Sequence, residues 1–293
     1  MRFNRRARLD SDQVRTRKGG AVAMGGGAGI IGVIVVIAMQ LLGGGGGDLG
    51  GALGALEGVQ TGGQGATSEP IEGCETGADV EGNQECRIVA VVNSIQDIWA
   101  QQLEGYQPTV TNFFTGSVTT GGCGSASSAV GPFYCPADQQ IYVDLGFFDD
   151  LQTRFGARGG DFAEAYVLAH EYGHHVQNLL GIRAERSSGP ESDAVRQELM
   201  ADCFAGVWAH HATTTPDPAT GEILILELTE QDIAEALSAA AAVGDDRIQE
   251  AATGDVDPHT WTHGSAEQRQ RWFLTGYRGG DPDGCDTFSA SEL

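Results

Sequence analysis

The chain has 293 residues, and the part after residue 42 is long enough to bury a real core, so one good-sized domain with appendages is the organisation its length favours. The formal net charge of −23 is uneven: the first twenty residues carry seven basic groups (Arg2, Arg5, Arg6, Arg8, Arg15, Arg17, Lys18) against Asp10 and Asp12, which leaves about −28 on the remainder. A surface that acidic repels phosphates and argues against nucleic acid as a partner.

Taken in chain order, the basic segment 1–20 runs into 21–42, a stretch without a charged residue whose second half, from Ile30 to Met39, is strongly apolar. Its length suits a bilayer span, and positive residues on the N-terminal flank place that flank in the cytoplasm. The expectation is a single-pass cell-membrane anchor with the acidic portion outside the cytoplasm. A cleaved secretory signal, with Ala52 and Ala55 near the cleavage point, is the competing reading; the basic and apolar stretches are both long for one. Residues 43–72, including the run Gly43 to Gly47, read as a flexible tether that cannot bury enough apolar surface to fold. Residues 73–293 read as the folded domain.

Six cysteines form an even set: Cys74 and Cys86 are twelve apart, Cys123 and Cys135 are twelve apart, and Cys203 and Cys285 remain. Three disulfides are the simplest reading for an exported domain, and spacing alone leaves fifteen connectivities open. Cys203, next to Asp202, is also a candidate metal ligand or free thiol.

Within the domain, Ile88, Val91, Val92, Ile95, Ile98, Trp99 and Leu103 recur at three- and four-residue spacing, which predicts an amphipathic helix from about Glu85 to Leu103. Val110 to Phe114 and Gln140 to Leu145 are short β-branched and aromatic segments, predicted as strands. Helices are predicted over Phe162 to Leu180 with a stop at Gly181, Ser192 to about His211, Thr229 to Ala242, and Ser265 to Tyr277. The expected fold class is α+β, mostly helical, with a small sheet and an N-terminal transmembrane helix.

The first of the long central helices carries His170-Glu171-Tyr172-Gly173-His174. Histidines four apart lie on one helix face, a turn apart, and can grip one ion; this is the H-E-x-x-H template. Glu171 points about 100° around the helix, so it flanks the metal and can act as general base toward a zinc-activated water. Gly173 costs about 1 kcal/mol of helix propensity relative to Ala, which predicts a second backbone packed against it. A catalytic zinc needs a third protein ligand, and Glu198 is the candidate; Asp202, one turn on, would accept the distal N–H of His170. One Zn2+ is therefore the expected cofactor and a peptide or protein the expected substrate.

These segments, together with Gly131 to Asp138, His263-Gly264-Ser265-Ala266-Glu267-Gln268-Arg269 and the motif from Glu198 to Gly206, resemble the bacterial putative neutral zinc metallopeptidases. The ligand pattern is similar to that of the gluzincins, and the resemblance implies a zincin-like domain with His170, His174 and Glu198 as ligands, Glu171 as base and Asp202 behind His170. A non-catalytic envelope scaffold with a degenerate domain is the alternative, and a hydrolase of non-peptide amides a third possibility.

Other placements follow from the residues themselves. His263, ahead of the last predicted helix, is a candidate donor to the oxyanion, with Tyr277 and Tyr172 behind it. The strand Ile141 to Leu145 either flanks the cleft or lies inside the sheet. His175, His210, His211 and Glu164 are expected to pack or to sit on helix surfaces.

Overall fold

A computed structural model of the chain describes residues 1–17, 68–185 and 187–293. In chain order the elements that matter are β1 (Arg2–Phe3), β2 (Val14–Arg17), β3 (Ser68–Pro70), α1 (Gln84–Gln102), β4 (Thr111–Phe113), β5 (Ser117–Thr119), β6 (Ser125–Ser127), β7 (Phe133–Cys135), β8 (Gln140–Val143), α2 (Gly146–Thr153), α3 (Asp161–Leu179), α4 (Asp193–His211), β9 (Ile225–Glu227), α5 (Glu230–Ala242), α6 (Asp245–Thr253) and α7 (Ala266–Gly279). The class is mixed α+β.

The helices begin and end where side chains satisfy the free backbone groups. Asn83 caps α1 at Cys86 N–H, Ser192 caps α4 at Val195 N–H, and α5 and α7 each open with a reciprocal capping box, Thr229 with Asp232 and Ser265 with Gln268. The end of α3 is a Schellman turn: Ile182 N–H reaches Gln177 O at 2.9 Å and Gly181 N–H reaches Asn178 O at 3.1 Å. Gly181 takes φ +73°, a left-handed conformation that costs glycine little.

α3 is the central element. Alanines and aromatics leave it buried on almost every side, between α1, α4, α5 and the β7–β8 edge of the main sheet. That sheet runs β3-β2-β4-β8-β7, with β2, β4 and β8 parallel and the outer strands antiparallel to their neighbours. β8 is thus an interior strand, and Phe133–Cys135 is the edge. α4 and α7 cross closely because each offers a glycine to the other's backbone: a Cβ on Gly206 would stand 2.1 Å from Phe273 O, and one on Gly276 would stand 1.9 Å from Cys203 O.

Three disulfides tie the frame: Cys74–Cys86, Cys123–Cys135 and Cys203–Cys285, the last closing a separation of 82 residues. Cys203 is therefore neither a ligand nor a free thiol.

The N-terminal topology expected from sequence is corrected by the structure. Residues 1–17 are not a separate cytoplasmic flank; they are built into the domain. β1 pairs with β9, β2 lies inside the main sheet beside β4, Val14 is fully buried, and the Met1 ammonium pairs with Asp232. The arginines that read as a membrane flank are used in the fold: Arg2 pairs with Glu227, Arg5 with Glu81, and Arg17 bonds Asn112 and sits over the Tyr142 ring. Arg17 and Ser68 are register partners, so the described residues on both sides of 18–67 lie in one sheet. No helix among the described residues is long and apolar enough to cross a membrane. The stretch 21–42 and the tether up to residue 67 lie outside the described residues; residues 68–70 of the expected tether are strand.

Candidate metal centre

The centre is assembled from α3 and α4, which lie side by side. Gly173 makes that approach possible: a Cβ there would stand 2.9 Å from both Cα and O of Ala201 on α4. One turn of α3 presents His170 and His174, and α4 presents Glu198 opposite them. Their ligating atoms all lie within 4.8 Å of one another, and all three residues are buried. Glu198 Oε2 is 3.2 Å from His170 Nε2, and Glu198 Oε1 is 3.5 Å from His174 Nε2.

Both imidazoles are held from behind through Nδ1. Asp202 Oδ1 lies 2.8 Å from His170 Nδ1 and also accepts from Tyr166 O–H at 2.5 Å, while Asp202 Oδ2 accepts from Arg269 Nε at 2.8 Å. Gln177 Oε1 lies 3.0 Å from His174 Nδ1, and the Gln177 amide donates to Gln197 O on α4 at 2.6 Å. Each ring is therefore oriented with Nδ1 held as a donor and Nε2 facing the centre.

The electrostatics fit a cation. Burial alone would raise Asp202, but Arg269 and His170 hold it at about 2. Burial likewise opposes ionisation of Glu198, and the two histidines outweigh it and keep the carboxylate charged. His170 is pushed up to about 9: burial disfavours its charge, and Asp202 and Glu198 overcome that. Burial lifts Glu171 to about 7. His170 Nε2, Glu198 Oε2 and Glu171 Oε2 are buried without a hydrogen-bond partner, although the first two stand close enough to pair as ions. Orphaned buried polar atoms cost about 1–3 kcal/mol each, and their convergence on one point is the pattern a metal ion satisfies.

His263, 5% exposed, is positioned by Asp245 at the start of α6. The Asp245 Oδ2 atom accepts the backbone N–H groups of Thr262, His263 and Gly264, and Oδ1 lies 3.3 Å from His263 Nδ1. The next residue, Gly264, packs on α4 beside Glu198: a Cβ on it would stand 3.2 Å from Val195 Cγ1 and 3.4 Å from Leu199 Cδ2. The lesser tyrosines are elsewhere: Tyr172 O–H pairs with Thr111 in β4, and Tyr277 stacks on Phe273. The tyrosine at the centre is Tyr166. His175 is a packing residue between Tyr134 O–H and Gln107 O; His210 and His211 bond the carbonyls of Tyr277 and Gly280; Glu164 pairs with Arg87 on α1.

Sequence reading missed the roles of Tyr166, Gln177, Asp245 and Arg269. Two of these carry a local signal, since Tyr166 is four residues before His170 and Gln177 three after His174, on the face the histidines share. Arg269 and Asp245 come from distant elements and have none.

A family model described as putative neutral zinc metallopeptidase matches residues 3–288. An uncharacterized protein of Mycobacterium tuberculosis is 55% identical over 223 residues, covering 75% of this chain and 76% of its own length. An uncharacterized protein of Escherichia coli strain K12 is 40% identical over 240 residues, covering 77% and 79% respectively. No solved structure matches the chain. Converging in one geometry, the matched span and the buried His-His-Glu cluster agree: the chain belongs to the putative neutral zinc metallopeptidase family.

Proposed function

We propose that this chain is a zinc-dependent peptidase that hydrolyses peptide bonds, with His170, His174 and Glu198 holding one Zn2+. The observation that carries the reading is the convergence of those three buried donors beside a carboxylate whose own Oε2 is unpartnered. A zinc ion there would supply Lewis acidity, polarising a carbonyl and lowering the pKa of water toward about 7.

The chain's own residues supply the rest. Glu171 takes a proton from the attacking water and hands it to the departing amine; burial brings its carboxyl close to neutral pH, where a base is most effective. Asp202, held by Arg269, fixes the His170 tautomer. With Nδ1 accepting from the Thr262 hydroxyl 3.0 Å away, His263 keeps its Nε2–H to donate to the oxyanion as charge develops.

The test is zinc stoichiometry and casein cleavage for the wild type and Glu171→Gln. The expected result is one zinc in each and cleavage reduced about 10²–10⁴-fold in the variant. Equal cleavage by both removes Glu171 from the mechanism, and full zinc with no cleavage by either favours a non-catalytic scaffold.

A further inference from the structure

The glutamine behind His174 reaches further than the ring it orients. Gln177 has no accessible surface, and its three polar groups point to three different places. Its Nε2 donates to the main-chain O of Gln197 on α4 at 2.6 Å, and its Oε1 lies 3.0 Å from His174 Nδ1. Its main-chain O accepts Ile182 N–H at 2.9 Å in the turn that ends α3. The directions of these bonds follow from the groups. A carbonyl only accepts, so the amide NH2 faces Gln197 O; the amide oxygen also only accepts, so His174 Nδ1 donates to it. Gln197 continues the chain, because its side-chain Oε1 accepts Ala184 N–H at 3.1 Å in the connection between α3 and α4. The antiparallel register places these contacts. Gly173 lies against Ala201, and four residues further along α3 Gln177 lies against Gln197, four residues earlier on α4. The tie is thus made at the residue immediately ahead of Glu198.

We propose that Gln177 is a positioning residue that joins His174 to Glu198: one amide fixes the ring of the second ligand and holds α4 beside the third, and Gln197 carries that order into the connection at Ala184. The inference rests on the metal reading of the centre and not on the reaction the metal serves. Ligands from two helices keep their geometry only while the helices keep their spacing. Gly173 lets α3 and α4 approach, and Gln177 ties them one turn on. The choice of an amide follows from the two jobs. Behind His170, Asp202 only accepts, and Arg269 supplies the matching donors. Behind His174, one side chain accepts from the ring and donates to a backbone carbonyl, which an ionised carboxylate cannot do. An ion bound at His174 Nε2 restrains the ring, and through it the amide and Gln197. The Ala184 N–H should then open to solvent less often, so the connection is steadied by the metal without touching it.

The experiment uses the full chain with zinc, and with cobalt(II) as its coloured substitute. Its readouts are zinc affinity by chelator competition, the visible spectrum of the cobalt complex, hydrogen exchange at the Ala184 amide, and the melting temperature of each metal-free variant. Gln177→Met keeps the length of the side chain without its polar atoms. Gln177→Asn, the milder change, keeps the amide and stops one methylene short. Gln197→Met leaves the main-chain carbonyl in place and removes the contact to Ala184. The inference predicts zinc affinity lower by about 10–100-fold in both Gln177 variants, with an altered cobalt spectrum. It predicts that zinc slows exchange at Ala184 in the wild type and not in the variants, and that Gln197→Met keeps wild-type affinity. Wild-type affinity and spectrum in Gln177→Asn overturn the inference, as does a loss in Gln197→Met equal to that in Gln177→Met. Gln177 variants that melt lower but keep the cobalt spectrum make the residue part of the packing alone, which also overturns it. In each of these cases the wild type still binds zinc and the peptidase reading stands. The predicted pattern in a wild type that cleaves no peptide overturns the peptidase reading and keeps the inference, and a wild type that binds neither metal overturns both.

Discussion

Asp202 works through both of its oxygens. Oδ1 takes the His170 N–H and the Tyr166 O–H, Oδ2 takes Arg269 Nε, and Arg269 Nη2 adds a contact to Oδ1 at 2.9 Å. A buried carboxylate is costly unless its lone pairs are filled, and these donors fill them. Asp202→Asn removes the charge that anchors the His170 tautomer, so zinc affinity should fall about 10–100-fold, measured by competition with a chelator of known affinity; an unchanged affinity would remove Asp202 from the centre's support. A second carboxylate behaves in the opposite way. Asp97 on α1 is pushed from 3.8 up to about 7, first by burial and then by Asp217 and Asp10. The folded chain holds a proton there that the unfolded chain releases near 3.8, so this contribution to stability is present in full below that value and is lost as pH rises through about 7. Asp97→Asn should melt above the wild type at pH 8, with the gap closing toward pH 4; a gap independent of pH would contradict the assignment. At this scale the grouping of His170, His174 and Glu198 is legible in sequence because ligand spacing on a helix is a local property. Arg269 is invisible there because only the crossing of α7 over α4 brings it to Asp202.

Glycines decide how the elements approach. Gly173 is legible as a cost inside a helix, and the backbone it accommodates is that of Ala201. Gly206 and Gly276 do the same for the α4–α7 crossing, which carries Arg269 to the centre and the Cys203–Cys285 bond beside it. Gly276→Ala improves helix propensity by about 1 kcal/mol, but its Cβ would overlap Cys203 O, and overpacking costs about 1–3 kcal/mol. The backbone atom cannot swing aside, so the net expectation is destabilisation of about 1–2 kcal/mol in urea unfolding; a stabilised variant would show that the helices separate freely. The helices read from sequence are those with a long apolar stripe or clear caps. α6 escaped because Ile248 is its one buried residue, and α2 because it is a single short segment opening at Gly146. The β5–β6 hairpin is built from two three-residue strands, Ser-Val-Thr and Ser-Ala-Ser, with no β-branched and aromatic run of the kind that marks β4.

Across the whole molecule, the largest departure from the sequence reading is the N-terminus. Charge and hydropathy describe 1–42 as a flank and a span, but they carry no information about pairing. The strand 14–17 offers Val14 to the core and Arg17 to Asn112 and Tyr142, partners about a hundred residues away. The sheet it enters supports the β7–β8 edge against α3, and α3 in turn sets the two histidines opposite α4. Fold and centre are therefore one construction, in which an ion would join two helices whose ligands are 24 residues apart in sequence, from His174 to Glu198. The most direct measurement is anomalous scattering at the zinc edge from crystals of the full chain grown with zinc. The account predicts one strong peak bonded to His170 Nε2, His174 Nε2 and a Glu198 carboxylate oxygen, with no fourth protein side chain. A peak elsewhere, a Glu198 turned away, or a fourth side chain completing the shell would contradict it.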